Sequence, residues 1–230
     1  MRAVYSEETF SSEDCGREAI IEGEHARHLI KVIRIKKLEK VLLLNGQGEK
    51  TIVEVIHFDR KIVTIKILEV TIVKDERRMS LFLGLPKKDA FESIVKMATE
   101  IGIKNIFLYR SEFSQTAIDI NDRIKKMEES AIVQSNNPFK ITFVSVSSFS
   151  EAFSKYSKII HFSTFSKGEQ VQSDDSQELL LVIGPEAGFS NEEEQEINSY
   201  DQVEVCHLPT NIMRAPTAFA VASGYVLRTF

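Results

Sequence analysis

The chain has 230 residues, 43% of them hydrophobic and 27% charged, with a net charge of −5. That is enough for one large domain or two modest ones, each with its own core. No apolar run approaches the ~20 residues of a bilayer-crossing helix, and MRAVYSEETF has no apolar core of the signal-peptide kind, so a cytoplasmic protein is expected. Two distant cysteines, Cys15 and Cys206, exclude a disulfide framework. The five scattered histidines complete no metal-ligand spacing, so no metal is expected.

The first third reads as a small β-rich unit. GEHARHLIKVIRI (23–35) predicts one helix. KVLLLNG (40–46) predicts a strand ending in the hairpin dipeptide Asn45-Gly46. TIVEVIHF (51–58) and KIVTIKILEV (61–70) follow, alternating with period two and rich in β-branched residues, on either side of the turn Asp59-Arg60. A small barrel or a strongly twisted sheet fits this pattern. The polar VKDERR (73–78) then reads as a linker.

Beyond it strands and helices alternate. MSLFLGL (79–85) is a strand, and KDAFESIVKMATEIG (88–102) a helix with Phe91, Ile94, Val95, Ala98 and Ile101 on one face, Asp89 as N-cap and Gly102 as stop. NIFLY, ITFV, KIIHFS, LLLVIG and QVEVCHL are strands, separated by the helices 122–135, 148–155 and 191–199. Ser190 and Glu193 offer the last of these a capping box. Residues 163–177 read as a polar loop, and Pro216 opens a terminal helix. The layout is α/β, with a mostly parallel sheet covered on both faces.

Charge is segregated. Residues 25–40 carry Arg27, Lys31, Arg34, Lys36, Lys37 and Lys40 against one acid, Glu39, whereas 186–204 carry seven acids and no Lys or Arg. An acidic chain of this kind can bind a polyanion with one face, although a basic stretch is equally compatible with a solvated helix face.

Ligands of open parallel sheets collect outside the carboxyl ends of the strands. Three such ends stand out: HFST (161–164), IGPEAGFS (183–190) and LPTNIMRAPTA (208–218). Gly184 and Gly188 allow a tight turn, but they form no G-x-G-x-x-G and no Walker lysine follows. Glu186 between them would repel a phosphate, so a ligand without phosphates fits better. Arg214 stands directly before the terminal helix, where a cation opposes the macrodipole. Either a local carboxylate or charge developing on a ligand would offset that cost.

LPTNIMRAPTA, IGPEAGFSNEE, LPKKDAFESIVKMATEIGI and HLIKVIRI together resemble, in the right order and over nearly the whole chain, the small-subunit ribosomal RNA uridine N3-methyltransferases of the knotted SPOUT superfamily. The resemblance implies a PUA-like RNA-binding β-barrel domain over 1–72. It implies a SPOUT methyltransferase domain with a C-terminal trefoil knot over 73–230, and a homodimer acting on small-subunit ribosomal RNA or the assembled subunit. It implies S-adenosylmethionine held by Phe162, Ile183, Gly184, Pro185, Glu186, Gly188, Leu208, Pro209, Asn211, Ile212, Met213 and Thr217. Arg214 would lie at the methyl-transfer centre. Glu186 is a candidate general base, set against a plainer role as a helix-start carboxylate near Ser190. Arg2, His28, Lys31 and Arg34 would contact RNA. The sequence departs from the family pattern at Phe113, Asn137, Ala187, Asn211 and Pro216, several of them positions where the family usually has arginine. Two other readings stand beside this one: a non-catalytic RNA-binding protein of the same fold, and a phosphate-handling α/β enzyme, for which no anion-binding turn is found.

Overall fold

The computed structural model describes residues 1–115, 117–163, 178–208 and 210–228. The expected polar loop therefore lies, after Ser163, outside the described residues, as does Pro209. The chain divides into two compact units, Met1–Glu76 with Glu129–Lys140, and Arg77–Glu128 with Ile141–Phe230.

The first unit is built on a five-stranded sheet. Its strands are β1 (Arg2–Tyr5), β2 (Glu18–Ile21), β3 (Lys40–Leu44), β4 (Glu49–Phe58) and β5 (Val63–Ile72), in the order β1-β3-β4-β5-β2. β1 runs parallel to β3 and the other pairings are antiparallel. Alternation in β4 and β5 sends Val53, Val55, Val63, Ile65 and Ile67 into one core with Val4, Val41 and Leu43. The two edge strands escape sequence reading because each is four residues long and neither alternates cleanly.

Asn45-Gly46 does not make a two-residue hairpin. The β3–β4 connection spans residues 45–48, and Asn45 Oδ1 accepts from Gln47 N at 2.8 Å and Glu49 N at 3.2 Å. Gly46 (φ 77°) and Gly48 (φ 95°) take left-handed backbone. Gly46 O then accepts from Lys140 N, and Gly48 N donates to Pro138 O, both at 2.8 Å. Those bonds are why 129–140 groups with this unit.

The predicted helix over 23–35 is also broken. α1 (Gly23–His28) widens into a π turn over Leu29–Ile33, and Arg34 ends it in the left-handed region at φ 56°. The break lets Ala26, Leu29 and Ile35 all reach the core and leaves Arg27, His28, Lys31, Arg34, Lys36, Lys37 and Lys40 exposed.

The second unit has a six-stranded sheet. Its strands are β6 (Met79–Gly84), β7 (Asn105–Tyr109), β8 (Thr142–Val146), β9 (Lys158–Phe162), β10 (Leu179–Ile183) and β11 (Val203–Cys206), in the order β11-β9-β10-β6-β7-β8. Every pairing is parallel. Its helices are α2 (Lys88–Ile101), α4 (Ser150–Phe153), α5 (Asn191–Asn198) and α6 (Ala215–Leu227), with the first half of α3 (Asp122–Ser135), whose residues from Glu129 on belong to the first unit. β10 is buried along its whole length, each Leu or Ile contributing about 1.5–3 kcal/mol by burial.

α2 buries Phe91, Ile94, Val95 and Ala98 and stops at Gly102, whose φ is 86°. Its N-cap is Lys87 rather than Asp89, which sits in the first turn. Since all six strands point the same way, Gly84, Phe162, Ile183 and Cys206 end at one edge of the sheet.

Candidate functional site

At that edge the chain leaves β9, β10 and β11 into three loops, and a cleft opens between them. It has two lobes sharing Phe162, Ser163, Ile212, Met213 and Ala218. One lobe, of about 110 Å³, is walled by Cys206, His207, Leu208, Thr210 and Asn211 and is mainly apolar. The other, of about 210 Å³, is walled by His161, the turn Ile183–Phe189, Glu194 and Ala215.

The turn is compact for stereochemical reasons. Gly188 N donates to Pro185 O at 2.9 Å, with Gly188 at φ 77°. A Cβ at Gly184 would stand 3.2 Å from Gly188 Cα, and one at Gly84 would stand 2.6 Å from Pro185 Cδ. Two missing side chains thus let the turn fold over the end of β6.

α5 fixes the far side of the turn. Glu193 N donates to Ser190 Oγ at 3.3 Å, and Glu193 Oε2 accepts from Ser190 N at 2.9 Å, so the predicted capping box is formed. The other oxygen of Glu193 accepts from Glu112 N at 3.0 Å. Burial, with Glu193 beside it, pushes the Tyr109 phenol up to about 12.

Glu186 works on a different helix. Its carboxylate accepts from Lys87 N at 3.0 and 3.3 Å. It therefore caps α2 across 99 residues of sequence, while the helix start near Ser190 is served by Glu193.

Of the residues expected to hold a cofactor, Phe162, Ile183, Gly184, Pro185, Glu186, Gly188, Leu208, Asn211, Ile212 and Met213 all wall the cleft. Thr217 is exposed on α6 and does not, and Pro209 lies outside the described residues. Arg214 is the exposed N-cap of α6. Its neighbours Met213 and Ala215 wall the cleft, but Arg214 itself does not. Among the described residues its guanidinium makes no hydrogen bond or ion pair, so no local carboxylate offsets its place at a helix N-terminus.

Sequence reading missed His161 and Glu194. His161 is 1% exposed, and its Nε2 stands 2.9 Å from Glu194 Oε2. Their signal was faint: one polar residue in an apolar strand, and one glutamate among several in an acidic helix. Cys206 was also missed as a wall; burial pushes its thiol up.

The expected RNA-contacting residues lie in the first unit. His28, Lys31 and Arg34 are exposed. Arg2 is engaged within the fold. It makes a two-pronged bond to Glu39, at 2.7 Å from Nε and 2.6 Å from Nη2, and it also donates to the carbonyls of Ile33 and Arg34. The bonded Glu39 carboxylate is held below its usual range by Arg2.

Residues 74–227 match the model of a family described as an RNA methyltransferase domain. The chain is 26% identical over 212 residues to ribosomal RNA small subunit methyltransferase E 2 of Borreliella burgdorferi, covering 86% of each chain. It is 22% identical over 213 residues to ribosomal RNA small subunit methyltransferase E of Rickettsia conorii, covering 89% of this chain and 87% of that one. Its fold is similar to the crystal structure of ribosomal RNA small subunit methyltransferase E from Neisseria gonorrhoeae bound to S-adenosyl methionine. That match has a TM-score of 0.84 and 21% identity, over 100% of this chain and 98% of that one.

Proposed function

The chain belongs to the RNA methyltransferase domain family, and from that premise we propose that it methylates N3 of a specific uridine in small-subunit ribosomal RNA, using S-adenosylmethionine. The observation that carries the reading is the cleft. It is walled by three strand-end loops, is apolar at one end and carboxylate-bearing at the other, and has no Lys or Arg among its described wall residues. A phosphate-bearing nucleotide suits such walls poorly. A ligand with a flat base at one end and cationic centres at the other suits them well. The residues therefore fit S-adenosylmethionine, which supplies an electrophilic methyl group when bound.

In this reading Phe162, Leu208, Ile212 and Met213, which wall the apolar lobe, would hold the base. The backbone of the Gly184–Gly188 turn, pinned to α2 through Glu186, faces the rest of the molecule. Alignment of donor and acceptor is the main contribution of such a site, worth up to roughly 7–11 kcal/mol in well-oriented systems. As N3 of uracil gives up its proton to solvent water, negative charge would spread to O2 and O4. Arg214, unpaired among the described residues and next to Met213, would stabilise that charge. Glu186 is given the α2-capping role rather than the proton.

The first unit serves to hold RNA, as a PUA-like domain presenting His28, Lys31 and Arg34 to phosphates. A base acted on at its Watson–Crick edge must first be exposed. For the second unit we infer the SPOUT trefoil knot and a homodimer. The knot reading is supported by β10 lying between β9 and β6, the dimer reading by exposed apolar Val221 and Leu227 on α6. Activity on an assembled subunit in the cytoplasm follows from the same resemblance.

The test is transfer of labelled methyl from S-adenosylmethionine to unmodified small ribosomal subunits, followed by mass mapping of the RNA. A single 3-methyluridine is expected. Arg214→Ala should reduce transfer about 10²–10³-fold, the usual loss for one charge-stabilising donor, with S-adenosylhomocysteine affinity within a few fold. Cofactor binding with no incorporation into either subunits or free RNA would instead leave a non-catalytic RNA binder. Tighter binding of ATP than of S-adenosylhomocysteine would overturn the cofactor assignment.

A further inference from the structure

The carboxylate-bearing lobe contains a pair that neither the capping of a helix nor the packing of the sheet requires. His161 is the penultimate residue of β9, in a strand otherwise apolar at its buried positions. Glu194 lies on α5, one residue past the capping glutamate. A carboxylate placed there only to favour the helix N-terminus would point to water. This one is turned inward instead, with its side chain 17% exposed and against a histidine that is 1% exposed.

The pairing fixes the chemistry of both groups. The carboxylate can only accept, so His161 Nε2 donates to Glu194 Oε2, at 2.9 Å. His161 Nδ1 is buried and, among the described residues, has no hydrogen-bond partner, an arrangement that opposes folding. One imidazole edge is thus given up to hold one carboxylate oxygen. The other oxygen of Glu194 makes no hydrogen bond among the described residues. Glu186, the other acid of the lobe, is already engaged by Lys87 N.

Resting on the cofactor reading above, we propose that Glu194, oriented by His161, is the anionic wall that receives a cationic centre of S-adenosylmethionine and so determines which adenosyl compounds the cleft prefers. Two centres share that chemistry, the sulfonium and the α-ammonium. His161 acts through Glu194 and is a positioning residue.

Isothermal titration of the full-length protein with three compounds separates the possibilities. S-adenosylmethionine carries both centres, S-adenosylhomocysteine only the ammonium, and 5′-methylthioadenosine neither. Glu194→Gln keeps the shape and an acceptor for His161, so the variant should fold normally. It should weaken S-adenosylmethionine about tenfold and leave 5′-methylthioadenosine unchanged, a charge-assisted contact being worth about one decade. S-adenosylhomocysteine weakened equally assigns the ammonium; S-adenosylhomocysteine unchanged assigns the sulfonium. His161→Leu should shift the same ratios in the same direction by a smaller factor.

Equal loss of all three compounds, or no change in any, overturns the proposal. Failure of the unaltered protein to bind any of the three overturns the cofactor reading itself, a separate and distinguishable result.

Discussion

Glu186 tests whether the turn is built for chemistry or for positioning. Its carboxylate is the acceptor for Lys87 N, at 3.0 and 3.3 Å, where α2 begins without a side-chain cap of its own. Replacing it with alanine removes an acceptor and a negative charge from a helix N-terminus. Each effect is worth from a few tenths to about 1 kcal/mol on an exposed side chain, so about 1 kcal/mol together. In a chain of this size that lowers Tm by roughly 2–4 °C. Glu186→Gln keeps an acceptor but not the charge and should lose about half as much, with the difference shrinking as salt is added. Thermal melts followed by circular dichroism at low and high salt measure this directly. Methyl transfer by Glu186→Gln should stay within several fold of the unaltered protein. An unchanged melting temperature together with a loss of transfer beyond a hundredfold would refute the capping argument and make Glu186 the proton acceptor.

Glu193→Ala should be costlier, about 3 kcal/mol, because it leaves the amides of Ser190 and Glu112 without their acceptor; urea unfolding would show it. The same change should lower the Tyr109 phenol only partway from about 12, since burial is the larger cause, as read by absorbance titration. Because that phenol holds its proton more tightly folded than unfolded, its contribution to stability is constant below about pH 10 and declines as pH climbs toward 12. Gly188→Ala should cost about 1 kcal/mol through its left-handed backbone while leaving S-adenosylhomocysteine binding nearly intact, because a Cβ there meets no atom within 4 Å. Gly184→Ala should instead weaken that binding roughly tenfold, since its Cβ would crowd Gly188, itself a wall of the cleft. In the first unit, Lys31→Ala should weaken RNA binding and reduce the salt slope by about 1. Arg2→Ala should chiefly lower the melting temperature, given its bonds to Glu39 and two carbonyls.

What the sequence disclosed followed from periodicity and punctuation. The central strands β6, β7 and β10 were short apolar runs, and α2 repeated its apolar residues at helical spacing up to Gly102. The capping box at Ser190 is local, so three residues of sequence sufficed to read it. Edge strands β1 and β2 carry too few residues to show a period. The break in the helix at Leu29–Ile33 depends on three side chains reaching one core, a demand that no local pattern carries. Most of the cleft wall was legible through resemblance, because strand ends in a parallel sheet converge on one edge whatever their spacing in the chain.

The His161–Glu194 pair shows where such reading must stop. Each residue has an ordinary local explanation, a polar residue near a strand end and an acid near a helix start. Only the insertion of β10 beside β9 brings α5 back over the end of β9, so that two positions 33 residues apart meet at 2.9 Å. Burial then turns an unremarkable acid into an oriented charge, because a carboxylate kept from water needs a donor and His161 is the one that reaches it. The polarity of the lobe is thus a property of strand order rather than of any segment. Exchanging both residues for an apolar pair of similar volume, His161→Leu with Glu194→Leu, should therefore roughly preserve stability, because the buried polar pair is removed without leaving a cavity. It should also abolish the preference for cationic adenosyl ligands. A double variant that still prefers S-adenosylmethionine over 5′-methylthioadenosine by the original factor would mean that the pair has no part in choosing a ligand.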